Sequence, residues 1–547
     1  MFGAGGGTSS YREVEDTDVI LLWGSNARET HPIFFHHLLK GVRKGAELYV
    51  VDPRRTSSAR WAKYWLGLNV GSDISLANAV GREIIAGGMA NEEFVARATS
   101  GFDGYKKHVE KYTLGRAELE TGVPAETIRR MAHAYGGARR AQICWTLGIT
   151  EHHNAVDNVL ALVNLALLTG HVGRYGSGVN PLRGQNNVQG GGDMGAIPDR
   201  LPGFQHVEND TLRAKFEKAW GAKIPPKRGW HLSDMFEAME TGHLTTLYVL
   251  GENPADSEAD RHRALKRLHG LEFLLVQDLF YTATAELADV VLPATAGAFE
   301  SEGTVTSSER RVQRVRRTVS PPAGVRDDLE IVFDLARRLG HDWGQPDPEG
   351  VWDELRSLSP MHCGMSYQRL QEMKGIQWPC YDESHPGEMF LHARLWSDPI
   401  VGPRAPFNVV EFEPPVDDID AEYPIRLTTG RRLDDYNTGV QSRMYSSPLR
   451  REESISISPE DGDQYNLREG DTIRVTSRRG SLLAPVHLDS DLRRGLAFLS
   501  VHAHDKVPTN ELTIDAVDPK SGTSEFKATA VRIEKIGRGV IGSSLNR

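Results

Sequence analysis

The sequence predicts an α/β protein, with two related βαβ units followed by a separate β-rich cap domain. Three observations point there. An apolar strand–turn–helix–strand pattern closes on an aspartate, the pattern recurs later at almost the same spacing, and the chain then shifts to short strands with turn signals. At 547 residues the chain exceeds the roughly 250–300 residues that one core supports. The expected division is 1–182 and 183–400 for the two α/β domains, with the loop for substrate and cofactor opening the second, and 401–547 for the cap.

The run 18–23 (DVILLW) reads as a strand, Gly24-Ser25-Asn26 as a turn, and Pro32 as the start of a helix ending near Gly45. A second strand, 47–51, ends in Asp52. A glycine after the strand lets backbone approach a ligand, a helix N-terminus favours a phosphate, and the closing aspartate can accept hydrogen bonds from a ribose or a base edge. The unit is Rossmann-like but lacks the full G-x-G-x-x-G that would indicate NAD.

The pattern returns as strand 247–250, the turn Gly251-Glu252-Asn253-Pro254, a helix over 257–269, and strand 272–276 leading into Gln277-Asp278. Gly24 to Asp52 spans 28 positions, and Gly251 to Asp278 spans 27. Thr56, Ala59, Ala62 and Leu66 then follow Asp52 by the same steps as Thr282, Ala285, Ala288 and Leu292 follow Asp278. Two such units can hold two similar nucleotides.

Residues 66–70 read as a further strand, and Gly71-Ser72-Asp73 as a turn opening a helix over 75–86, with Asp73 as its N-cap or a nucleotide contact and capping the favoured role. Helix 157–169 is apolar on most sides and is expected to be buried. Segment 170–193 is too dense in Gly, Asn, Gln and Arg to pack a core, and is expected to be ordered and functional. Its amides can fix a polar heterocycle and Arg183 can grip a carboxylate, although on bare chemistry a structural ion pair weighs more for Arg183. Arg310, Arg311, Arg314, Arg316 and Arg317 read mostly as a solvated strand face. Past the proline-bearing stretch 398–415, strands 472–476 and 481–486 mark the cap as a barrel, where Thr429, Gly430, Arg431, Asn510 and Lys527 read as polar turn groups.

The charge of −10 gives no reason to expect nucleic acid or an acidic membrane as partner, so an anionic substrate needs local arginines. Apolar runs such as 159–168 are too short to span a bilayer. The first residues, MFGAGGG, lack the basic start and apolar stretch of a signal peptide, so a cytoplasmic location is expected. Cys144, Cys363 and Cys380 are scattered, and each is expected to be reduced and packed.

The motifs GSNARETHP (24–32), VDPRRT (51–56), LTGHVGRYGSGVNPLRGQNNVQGGGDMGA (168–196), GENPADSEAD (251–260), VQDLFYTATAELADVVLPA (276–294), EGTVTSSERRVQ (302–313), LTTGR (427–431) and NELTIDAVDP (510–519) resemble the large subunit of formate dehydrogenases of the bis-molybdopterin guanine dinucleotide family. The resemblance covers essentially the whole chain. It implies a double-psi type of cap barrel and a cofactor of two guanine dinucleotides carrying molybdenum or tungsten. Gly24, Ser25, Asn26, Glu29, Asp52, Arg54, Gly71 and Asp73 would hold one dinucleotide, and Gly251, Glu252, Asn253, Gln277 and Asp278 the other. Gln185 and the cap residues Thr429, Gly430, Arg431, Asn510 and Lys527 would complete the contacts.

Arg183 would orient formate, and electrons would leave to an acceptor subunit or redox partner. The family's metal-ligating Cys or selenocysteine followed by His, and its iron–sulfur domain, precede a segment like FGAGGGTSS. They are therefore expected upstream of Met1, through either an internal start after a selenocysteine codon or a fragment or split subunit. The rival expectations are a nitrate-reductase-like enzyme and an inactive cofactor-binding fragment.

Overall fold

The computed structural model describes residues 2–3, 5–297, 299–440 and 452–538. Strand β1 (Val19–Trp23) is buried at every position, as expected of an apolar run covered on both faces of a parallel sheet. The chain continues through α1 (Pro32–Arg43), β2 (Glu47–Val51), β3 (Tyr64–Leu66), α2 (Asp73–Ala86), β4 (Ala141–Trp145), α3 (Ala155–Thr169) and β5 (Gly178–Pro181). These strands make one parallel sheet in the order β3-β2-β1-β4-β5. Strand order reverses between β1 and β4, the point where such sheets open a ligand crevice at their carboxyl ends.

The second unit repeats the first half of this sheet. Strands β6 (Thr246–Leu250), β7 (Phe273–Asp278) and β8 (Val290–Pro293) are parallel in the order β8-β7-β6. The register repeats too, since Val51 lies opposite Leu66 and Gln277 opposite Leu292. The connecting helix departs from expectation. Asp260, at φ +47°, breaks it into Pro254–Ser257 and Arg261–His269, with the Asp260 carboxylate capping Arg263 N.

Six strands between Ile425 and Arg538 close into a barrel with its own apolar core. The strands expected over 472–476 and 481–486 are Asp471–Thr476 and Ser481–Leu488, which pair antiparallel. Part of the proline-bearing stretch packs on the first sheet instead of opening the barrel. Ala405, Phe407 and Val410 join that core, and Ala405 pairs with Thr99.

Four local expectations are corrected. The strand expected over 66–70 is Tyr64–Leu66. Ser72 is the N-cap of α2, and the Asp73 carboxylate instead accepts the Trp23 indole N–H at 2.7 Å. Arg310 is fully buried, its guanidinium donating to the carbonyls of Gly7, Trp378, Glu388 and Met389, so backbone acceptors replace the water expected around it. Cys144 and Cys380 are buried as expected, but Cys363 is exposed.

Candidate functional site

The two repeats build their turns with the same hydrogen bonds. Gly24 N donates to Val51 O and Gly251 N to Gln277 O, both at 2.8 Å, with both glycines at positive φ. Asp52 Oδ1 accepts from Arg54 N and Asp278 Oδ1 from Phe280 N, both at 2.9 Å. Asn26 Oδ1 accepts from Ser58 N and Oγ, and Asn253 Oδ1 from Thr284 N and Oγ1. The two asparagines therefore spend their carbonyl oxygens on the fold and offer a ligand only what remains.

Each repeat opens on a cavity. The first, about 420 Å³, lies at the carboxyl ends of β1, β2 and β4 beneath the barrel. Gly24, Asn26, Glu29, Asp52 and Arg54 line it from the first repeat, and Gly71 and Asp73 from the turn before α2. Arg183 and Thr429 face it as well. The second cavity, about 320 Å³, is lined by Gly251, Glu252, Asn253 and Asp278, with Asn510 from the cap. Gln185, Gly430, Arg431 and Lys527 border both cavities. Ser25 and Gln277 stand behind the walls. Gln277 is locked between Tyr248 and Asp328, donating to the latter at 2.5 Å.

The barrel is tied across the first cavity. Arg54 lies 3.6 Å over the Phe498 ring, and Lys527 Nζ reaches Thr429 O at 3.1 Å and Glu151 at 2.7 Å. Glu525 accepts from His153 N at 3.1 Å and pairs with His152 at 3.2 Å. Asn510 Nδ2 donates to the carbonyls of Asp256 and Ser257 at 2.9 and 3.1 Å, joining the barrel to the second repeat.

Burial raises Asp52 and Asp73 above the ordinary carboxylate range, against the pull of Arg54 on the first and of His152 on the second. On the second cavity, burial followed by the charge of Glu252 pushes Glu258 up to about 7. Carboxyl groups so placed are matched to donor-rich ligand edges.

Sequence reasoning missed the β4 turn. Thr146 Oγ1 and Gly148 N both donate to Gly24 O, at 2.7 and 3.1 Å, and His152 follows on the cavity wall. The available signal was an apolar strand ending in Trp145 with a glycine close behind, much as β1 ends in Trp23-Gly24. Within the amide-rich segment 170–193, Asn180 belongs to the sheet, its Nδ2 donating to Gln142 Oε1 at 2.9 Å.

These residues fit a ligand with two polar ends and an anionic middle. A β-carbon on Gly251 would meet nothing within 4 Å, leaving open backbone for close approach. Arg431 carries a buried Nε with no partner among the described residues, on the wall common to both cavities.

Comparisons with known proteins agree. A family model described as molybdopterin oxidoreductase matches residues 4–338, and one described as molybdopterin dinucleotide binding domain matches 425–530. Together they support bis-molybdopterin guanine dinucleotide, with molybdenum or tungsten, as the cofactor. The chain is 39% identical to the F420-dependent formate dehydrogenase subunit alpha of Methanocaldococcus jannaschii, across 98% of this chain and 79% of that protein. It is 35% identical to formate dehydrogenase H of Escherichia coli, across 98% and 75%. Its fold is similar to acetylene hydratase from Pelobacter acetylenicus, with a TM-score of 0.74 at 20% identity over 98% of this chain and 80% of that one, a likeness of fold alone. With a family model spanning residues 4–338, a second spanning 425–530 and a relative 39% identical across 98% of this sequence, the chain belongs to the molybdopterin oxidoreductase family.

Proposed function

We propose that this chain is the catalytic subunit of a formate dehydrogenase, oxidising formate to carbon dioxide with release of one proton and two electrons to an acceptor. The observation that carries the reading is Arg183, a desolvated cation on the first cavity's wall, two residues before Gln185, which borders both cavities. Its Nε donates to Gln189 Oε1 at 3.2 Å and its Nη2 to Gly5 O at 2.9 Å, while Nη1 takes no partner among the described residues. Burial lowers its pKa below the usual arginine value, opposed by the Asp193 carboxylate. Arginine nonetheless stays charged at neutral pH, and a guanidinium edge fits a small planar carboxylate.

His31 Nε2 contacts Arg183 O at 2.9 Å and steadies the backbone there. Trp145, Leu147 and Leu182 present apolar surface to the same cavity, limiting water around the bound anion. Asp52, Arg54 and Asp73 are the groups proposed to hold one dinucleotide, and Glu252, Asn253 and Asp278 the other. Gln185, Arg431 and Lys527 lie between them. When bound, the cofactor supplies the metal and dithiolene sulfurs that take up the electron pair.

An electron-accepting partner is part of the proposal, and the relatives named as alpha subunits support it. Among the described residues no helix is long and apolar enough to cross a membrane. A cytoplasmic location is also proposed, supported by three cysteines that are all free.

The test is turnover by the cofactor-loaded enzyme, with formate as electron donor and with nitrate as electron acceptor. Formate-dependent dye reduction is expected, and nitrate reduction without formate oxidation would overturn the reading. Arg183→Ala should raise the formate KM at least about tenfold with pterin content near wild type. Loss of pterin would assign Arg183 to holding the cofactor instead.

A further inference from the structure

Behind Arg183 lies a fully buried carboxylate that the proposed reaction does not use. Asp193 ends the short helix Val188–Asp193. Its Oδ1 accepts from Gln189 Nε2 at 2.8 Å and its Oδ2 from the Trp378 indole N–H at 2.7 Å. Gln189 Nε2 also donates to Gly5 O at 3.1 Å. With both amide hydrogens directed at acceptors, the Gln189 carbonyl oxygen is left facing Arg183 Nε at 3.2 Å.

An amide is nearly symmetric in shape, so its neighbours decide which end points where. An ionised carboxylate only accepts, and therefore imposes the observed direction. A turned Gln189 would set its NH2 against a guanidinium that has no acceptor to offer. Gly5 O then holds Nη2, so the side of the fork left to the cavity is determined by the same short network.

We propose that Asp193 is a positioning residue for the substrate-binding arginine, its carboxylate acting through Gln189 to fix the direction in which the Arg183 fork faces the cavity. This rests on the reading of Arg183 as the group that grips formate.

Asp193 is poised to titrate. Burial pushes its carboxyl up to about 7, against the hydrogen bonds from Gln189 and Trp378 and the charges of Arg183 and Arg310, the cations that face it. Protonation places a donor on the carboxyl and removes the demand that Gln189 donate to it. Formate binding should therefore weaken as pH falls through about 7.

The experiment follows the formate KM, kcat and pterin content of the loaded enzyme between about pH 5.5 and 8.5, with infrared difference spectra over the same range. The wild-type KM should rise toward acid. Asp193→Asn should give a KM independent of pH and about tenfold above the wild-type alkaline value, with kcat within about twofold and pterin unchanged. Trp378→Phe, which removes one hydrogen bond to the carboxylate, should move the midpoint of the KM profile to higher pH. Acidification should produce a carboxylic-acid carbonyl band that is missing in Asp193→Asn.

A wild-type KM and pH profile in Asp193→Asn overturns the inference, as does a wild-type enzyme with a flat profile and no such band. Arg183→Lys separates the two ideas. If it raises KM while Asp193→Asn does not, only the positioning role fails. If Arg183→Lys leaves KM unchanged, the reading of Arg183 fails and the inference falls with it. Should Asp193→Asn not fold, the Trp378→Phe midpoint and the wild-type band decide.

Discussion

Gly24 and Gly148 meet backbone to backbone at the carboxyl ends of β1 and β4. Gly148 N donates to Gly24 O at 3.1 Å, and a β-carbon on Gly24 would lie 2.8 Å from the Gly148 carbonyl carbon. This contact brings the two strand ends together at the mouth of the first cavity. The expectation that Gly24 is there for a ligand's approach is therefore incomplete, because its bare face is already covered by protein.

The equivalent Gly251 has open space where a side chain would stand. Both residues sit at positive φ, which costs alanine roughly 1–2 kcal/mol. Gly251→Ala should therefore lose about that much stability, whereas Gly24→Ala should lose about 1–3 kcal/mol more from forced backbone displacement. Thermal unfolding of the two variants compares them, and equal losses would remove the distinction.

His152 and Glu525 are buried partners from the first sheet's side and from the cap. Burial opposes both charges. Even so, Glu525 and Asp73 raise the His152 pKa above its ordinary value, and His152 and His153 hold Glu525 well below the carboxylate range. The histidine's contribution to stability is complete below about pH 6.5 and is lost as pH rises through its folded pKa. The glutamate's is present above about pH 4.5 and is lost as pH falls through its folded pKa. The pair should therefore stabilise most between about pH 4.5 and 6.5 and fade toward alkali. Glu525→Gln should cost about 3–5 kcal/mol in that window and less at higher pH. Tm measured against pH for both proteins checks this, and a pH-independent loss would exclude the charged pair.

The repeat was legible through its apolar runs and the short turns that close them, not through the longer-range bonds of Asn26 and Asn253. Asp52 to Arg54 and Asp278 to Phe280 are two-residue turns, and the apolar runs before them bury as strands by composition alone. The missed partners are distant in sequence: Gly148 lies far from Gly24, and His152 farther still from Glu525. No periodicity marks such a pair. Arg310 shows the same limit from the other side. In the sequence it stands in an Arg-Arg run that suggests solvent, and carbonyls brought from Gly7, Trp378, Glu388 and Met389 make its burial tolerable. Ser25 and Gln277 lie beside the cavities but behind their walls, because side-chain direction there is set by packing such as that of Tyr248 and Asp328 on Gln277.

Arg431 follows the first barrel strand, Ile425–Gly430, and borders both cavities. Its buried Nε lacks a partner among the described residues. An unpaired buried donor costs about 1–3 kcal/mol, and that cost is recovered only when an acceptor arrives. Arg431→Ala should therefore leave the cofactor-free protein as stable as wild type or about 1–2 °C higher in Tm. The same variant, isolated after expression with cofactor supply, should retain at most about a tenth of the wild-type pterin, since a charge-assisted contact to an anionic ligand is worth a factor of that order. Pterin extraction and thermal unfolding measure the two effects separately. A destabilised cofactor-free variant with full pterin content would mean that Arg431 braces the barrel and does not serve the ligand.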